Sequence, residues 1–232
     1  MSAPPVVECK YGVRVTKGFI FDCDGVLLDS MPLWRIVEQK IAELVGVTFD
    51  DDDLRKVYGV SSEVLADHFY QKYGGHIDPD EIIHLNREYA LSFYTHEVKA
   101  RKGSKALVES LFTRGYPLAI ASASPLSYIE AGLKRNALFE YFALISSADD
   151  QGGSKADPEF YLSLCSGLKV DPHNSWGIDD SALAIRAMNK AGLRTLGLYD
   201  PWNQSCTLED LESEAYITII DYEELSLATL LD

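Results

Sequence analysis

Four short stretches of this chain carry side chains whose types suit joint chemistry. The first is Phe19-Ile20-Phe21-Asp22-Cys23-Asp24-Gly25, two carboxylates spaced two residues apart directly after an apolar run. On extended backbone residues i and i+2 point the same way, and Gly25 lets the chain turn aside afterwards. Two carboxylates held that close repel each other unless a cation lies between them. Taken alone, the pair also admits a plainer reading, with Asp22 forming a turn and Asp24 capping a helix.

The other three stretches also follow apolar runs. Ser122-Ala123-Ser124-Pro125 follows Tyr116–Ala121. Pro125 suits a first helical position and Ser124 its cap, so free N–H groups and the Ser122 hydroxyl form a candidate phosphate cradle. Capping alone would also explain both serines. Ser154-Lys155-Ala156-Asp157-Pro158 offers one ammonium, either a solvated side chain or a point charge for a phosphate and a reactive carboxylate. Trp176-Gly177-Ile178-Asp179-Asp180-Ser181 ends in adjacent carboxylates. These suit a hard divalent cation such as Mg2+, which is held by one or two carboxylates with phosphate and water. A helix cap at Asp180 or Ser181 would leave Asp179 unexplained.

The elements that must position these groups read as alternating strands and helices. Strand patterns occur at Val13–Phe21, Tyr116–Ala121, Tyr141–Ser146, Ser175–Ile178, Thr195–Tyr199 and Ala215–Ile220, with helical patterns at Pro125–Asn136, Pro158–Ser166 and Ala182–Ala191. That alternation predicts an α/β fold with a doubly wound, Rossmann-like parallel sheet. In such a sheet ligands bind outside the carboxyl ends of the strands, where all four stretches fall.

From about residue 32 to residue 96 the alternation stops and the periodicity is helical. Leu33, Ile36, Val37, Ile41, Leu44 and Val45 form one stripe; Leu65, Phe69 and Tyr73 a second; Ile82, Leu85, Tyr89 and Phe93 a third. This predicts a helical module over 31–99 inserted into a core of 1–30 and 100–232. The stripes are packing faces. The acidic run Asp50–Asp53 reads as a solvated helix start.

At 232 residues the chain has ample apolar material, 47%, for a core without staples. Its net charge of −15 disfavours nucleic acid and anionic membrane surfaces as partners. No apolar run approaches a membrane span, and no export signal pattern opens the sequence. Cys9, Cys23, Cys165 and Cys206 are scattered, as expected for reduced thiols in a cytoplasmic protein, with Cys23 a small buried hydrophobe. The five histidines lack paired ligand spacing.

With these four motifs in this order, the chain resembles the haloacid dehalogenase superfamily of phosphotransferases over nearly its whole length, with the inserted module as a helical cap. The resemblance implies that Asp22 attacks phosphorus and becomes an aspartyl phosphate, and that Asp24 serves as acid and then base. It further implies Mg2+ held by Asp22, Asp180, the Asp24 carbonyl and Asp179, directly or through water. Ser122, Ala123 and Lys155 would bind the phosphoryl group, with Lys155 also steadying the nucleophile. Carbon–halogen members lack the second aspartate, so Asp24 favours phosphate esters. Tyr58-Gly59-Val60-Ser61-Ser62-Glu63 resembles the specificity loop of the β-phosphoglucomutase-like branch, which makes Ser61 and Ser62 candidate substrate contacts.

Mutases of that branch carry an arginine where Ser62 stands; Arg55, Lys56 and Arg87 are candidate substitutes, though each reads more simply as part of a solvated helix face. The sequence therefore favours a phosphatase acting on a small phosphorylated metabolite, such as a sugar phosphate. A sugar phosphomutase and a non-catalytic binding module are the rival readings. Connections at Asp29–Leu33 and near Arg101 are candidate hinges, and a monomer is compatible with the sequence.

Overall fold

The computed structural model describes residues 7–8, 14–44, 46–48, 62–73, 78–148, 150–203 and 205–231. It divides into two compact units, Met1–Asp29 with Lys99–Asp232, and Ser30–Val98. At the junction the larger unit pairs its own backbone: Asp29 N–H donates to Lys99 O, and Arg101 N–H to Leu27 O, both at 2.9 Å.

The larger unit is built on six parallel strands: β3 (Phe19–Phe21), β4 (Leu118–Ser122), β5 (Leu144–Ser147), β6 (Trp176–Asp179), β7 (Arg194–Leu198) and β8 (Ile217–Ile219). Their order in the sheet is β5-β4-β3-β6-β7-β8. The chain steps outward from β3 in one direction, then returns and steps outward in the other. The reversal lies between β3 and β6, the point where open α/β sheets bind ligands. Register is tight there, with Phe21 opposite both Ile120 and Ile178.

Burial explains why these runs become strands. Ile20, Ala119 and Ala121 share a core cluster with Tyr161, Leu164 and Cys165 of the helix Pro158–Leu168 and with Ile185 and Met188 of the helix Ala182–Lys190. The alternate residues Phe19, Phe21, Leu118 and Ile120 are also fully or almost fully buried. They point to the opposite face, to which right-handed crossovers assign the helices Ser104–Thr113 and Leu126–Arg135. A Cβ at Gly177 would meet the Met188 side chain, so the glycine leaves room for that side chain to pack on β6.

The first strand is shorter than the run Val13–Phe21 suggests. Arg14–Val15 (β2) pairs antiparallel with Val7–Glu8 (β1), and the six-stranded sheet begins only at Phe19. Between them the buried Lys17 donates to the carbonyls of Leu230 and Leu231, and Gly18 N–H to Ser175 Oγ, bonds that lie outside the parallel ladder.

The smaller unit contains the helices Met31–Leu44, Ser62–Tyr73 and Pro79–His96, the last touching both others. Asp78 caps the third by accepting from Asp80 N–H, with Pro79 in the first turn. Two of the expected stripes are shifted. Leu33, Val37 and Ile41 are buried while Ile36 and Leu44 are exposed, and Pro79–His96 buries Ile82, Asn86, Ala90 and Tyr94. That strict i, i+4 row is narrower than the apolar face of the helix, so Leu85, Tyr89 and Phe93 sit at its margin, half-buried. The acidic run Asp50–Asp53, together with Cys9, Arg55, Lys56 and Ser61, lies outside the described residues.

Candidate active site

The carboxyl ends of β3, β4 and β6 are adjacent, and each releases a polar residue where its ladder stops. Asp22 N–H still donates to Ile178 O at 2.8 Å, which fixes Asp22 at the rim of the β3–β6 seam. Asp179 ends β6 and Asp180 follows it; Ser122 ends β4. All four are buried.

Lys155 comes from the loop between β5 and the helix Pro158–Leu168, which Asp157 caps by accepting from Glu159 N–H. The buried Tyr161 on that helix donates its hydroxyl to Lys155 O at 3.0 Å and so anchors the loop. The ammonium then reaches across to two strand ends. Its Nζ lies 2.9 Å from Asp22 Oδ1 and 2.6 Å from Asp179 Oδ2. Burial alone would lower the Lys155 pKa, but Asp179 and Asp22 hold it well above the usual lysine value.

One ammonium does not neutralise three carboxylates. Oxygens of Asp22, Asp179 and Asp180 lie within 4.8 Å of one another. Burial, reinforced by Asp179, Asp180 and Asp24 and opposed by Lys155, pushes the Asp22 carboxyl well above its ordinary range. Burial and the neighbouring Asp179 push Asp180 up to about 7, against the lowering effect of Lys155 and of a hydrogen bond from Asn203. A buried, oxygen-only cluster with excess negative charge fits a hard divalent cation, and that donor chemistry suits Mg2+.

The individual oxygens have distinct partners. Asp22 Oδ1 accepts from Cys23 N–H at 2.7 Å as well as from Lys155. Asp179 Oδ1 accepts from Ser181 N–H at 2.9 Å, while Oδ2 of this fully buried side chain has the Lys155 ammonium 2.6 Å away as its ion-pair partner. Asp180 Oδ2 accepts from Asn203 Nδ2 at 3.0 Å. Beside β3, the buried Ser122 Oγ accepts from Ser124 N–H at 3.0 Å, a bond that uses an oxygen lone pair and not the hydroxyl proton. Gly25, at φ 73°, turns the chain after Asp24, a conformation that favours glycine.

Ser124 is not the helix cap its sequence position suggests. The helix starts at Leu126, whose N–H is taken by Asp150 Oδ2 at 2.7 Å, and Ser124 Oγ instead donates to Asp24 Oδ2 at 2.6 Å. A cap from the β5 loop frees Ser124 for the second carboxylate of the D-x-D-G motif. Asn203 gave no motif signal either, because the loop after β7 matches none of the recognisable stretches. Ser62 opens its helix in the smaller unit. Arg87, an alternative candidate there, pairs with Glu63 at 2.5 Å on an exposed surface. Cys23, Cys165 and Cys206 are buried free thiols, and no described helix is long and apolar enough to cross a membrane.

Known proteins resemble this chain in sequence and in fold. A family model described as haloacid dehalogenase-like hydrolase matches residues 19–198. The chain is 30% identical to validoxylamine A 7'-phosphate phosphatase of Streptomyces hygroscopicus subsp. limoneus, over 78% of its length and 85% of the relative's. It is 29% identical to hexitol phosphatase B of Escherichia coli (strain K12), over 80% and 85% of the two chains. Among solved structures, CbbY from Rhodobacter sphaeroides in complex with phosphate superposes with a TM-score of 0.77 at 21% identity, covering 94% of this chain and all of that one. At that identity the likeness is one of fold.

Proposed function

Because this chain belongs to the haloacid dehalogenase-like hydrolase family, we propose that it is a Mg2+-dependent phosphatase that hydrolyses a small phosphomonoester through an aspartyl phosphate on Asp22. The observation that carries the proposal is the buried Asp22 carboxylate, held 2.9 Å from Lys155 in a cluster with Asp179 and Asp180.

Lys155 and Cys23 N–H occupy Asp22 Oδ1, which leaves Oδ2 to attack phosphorus in line with the ester oxygen. As the phosphorus–ester bond breaks, protonated Asp24 gives its proton to the departing alkoxide. In the second step Asp24 takes a proton from water. The resulting oxygen attacks the same phosphorus, releasing phosphate and the Asp22 carboxylate. The Ser122 hydroxyl, Ala123 N–H and Lys155 hold the phosphoryl oxygens. Asp22, Asp180 and the Asp24 carbonyl would hold the metal, with Asp179 of the same cluster joining directly or through water. Bound Mg2+ would supply positive charge against the phosphoryl oxygens, beside that of Lys155.

The names of the two phosphatase relatives support phosphorylated sugars and polyols as the substrate class. We take the Ser30–Val98 unit as a substrate-screening cap, with Ser61 and Ser62 as contacts. The buried free thiols are in keeping with a cytoplasmic protein. The test is a panel of sugar and polyol phosphates with Mg2+, read as inorganic phosphate. Release from one class supports the phosphatase. Isomerised ester without free phosphate, once a sugar bisphosphate is added, would make it a mutase. No release from any ester, with no beryllofluoride trapped on Asp22, would leave a binding module.

A further inference from the structure

We propose that Asn203 is a positioning residue for the metal site: its side-chain amide fixes which Asp180 oxygen is presented to Mg2+. The inference rests on the Mg2+ reading above. Asn203 is 8% exposed and comes from the loop after β7, distant in sequence from all four motifs. Its Nδ2 lies 3.0 Å from Asp180 Oδ2 and 3.3 Å from the Asp180 carbonyl oxygen. With Oδ2 committed to the amide, Oδ1 is the oxygen left to face a cation.

The amide cannot turn the other way. Its Oδ1 accepts from Ser205 N–H at 3.0 Å and from Ser205 Oγ at 2.7 Å, and a backbone N–H can only donate. Nδ2 must therefore face the carboxylate. The loop itself is anchored. Asn203 N–H donates to Asp200 O at 3.0 Å, and Asp200 Oδ1 accepts from Trp202 N–H at 2.8 Å. The Arg101 guanidinium, 3.6 Å from Asp200 Oδ2, donates to Tyr199 O at 2.6 Å and also to Gly25 O in the turn after Asp24.

A neutral donor is the group this position calls for. An amide orients the carboxylate without cancelling its charge, whereas a second lysine would compete with the metal. Outer partners that orient ligating carboxylates are worth roughly 10–100-fold in metal affinity.

The test is Mg2+ binding by calorimetry to the full-length chain without substrate, for Asn203→Ala, the near-isosteric Asn203→Leu, and Ser205→Ala as a loop control that keeps the donor. Circular dichroism establishes folding. Asn203→Ala and Asn203→Leu are expected to weaken Mg2+ roughly 10-fold or more. Ser205→Ala should stay within about 3-fold, and kcat of the Asn203 variants should recover at saturating Mg2+. Folded Asn203 variants that bind Mg2+ within about 2-fold of wild type would overturn the assignment. So would a Ser205→Ala loss as large as theirs, or failure of both Asn203 variants to fold, since the residue would then be structural. A wild-type chain that binds no Mg2+ would overturn this inference together with the metal reading, whereas intact wild-type binding isolates a failure to Asn203.

Discussion

Lys155 and Asp179 form the shortest ion pair of the site, 2.6 Å between Nζ and a carboxylate that is fully buried. Asp179 is also held by Ser181 N–H, so it acts as a fixed post that aims the ammonium at Asp22. Removing one partner of such a pair strands the other's charge, a loss of about 3–5 kcal/mol. Lys155→Met is therefore expected to abolish phosphate release and to lower metal-free stability at neutral pH by that amount, read by denaturant unfolding.

Asp22→Asn is expected to reduce turnover by about 10^4-fold or more, the scale of losing a nucleophile. The folded chain should not suffer, because the change removes a carboxylate that burial and three neighbouring acids already disfavour. A thermal melt of the metal-free variant at or above the wild-type midpoint, with no labelled Asp22 phosphate, is the expected pair of results.

Ser124→Ala removes the hydroxyl that donates to Asp24 Oδ2. A charge-assisted hydrogen bond of this kind contributes roughly 1.5–3 kcal/mol. If its role is to hold Asp24 toward the leaving group, kcat should fall about 10-fold while Mg2+ affinity is unchanged. Steady-state kinetics and calorimetry separate the two effects.

The metal-free chain should lose stability as pH rises. Asp180 is pushed up to about 7 in the folded state, whereas an unfolded aspartate titrates near ~3.9. Between those values the folded chain keeps a proton that the unfolded chain has released, so this contribution is present at low pH and lost as pH climbs through the window. Melts in chelator from pH 5 to pH 8 should show it. Asp180→Asn, which cannot ionise, should gain on wild type toward pH 8. Mg2+ should restore wild type at pH 8 and leave the variant unmoved.

The sequence alone determined which residue types stand at strand ends and how the strands alternate with helices, since both follow from apolar runs broken by Asp, Ser and Gly. Asp22, Asp179 and Asp180 were legible because they follow apolar runs, and Lys155 because it stands just ahead of a Pro-initiated helix, positions that local patterning exposes. Tertiary structure decided what no local pattern encodes. The strand order brings β3 beside β6 and so sets Asp22 against Asp179. A carboxylate 24 residues away caps the helix at Leu126, leaving Ser124 to hold Asp24. A loop 23 residues beyond Asp180 folds back to grip it through Asn203. Each of these is a contact between segments distant in the chain. Closing the intervening loop costs conformational entropy that burial in a shared core offsets, and hydrophobic spacing along the sequence does not specify which segments meet there.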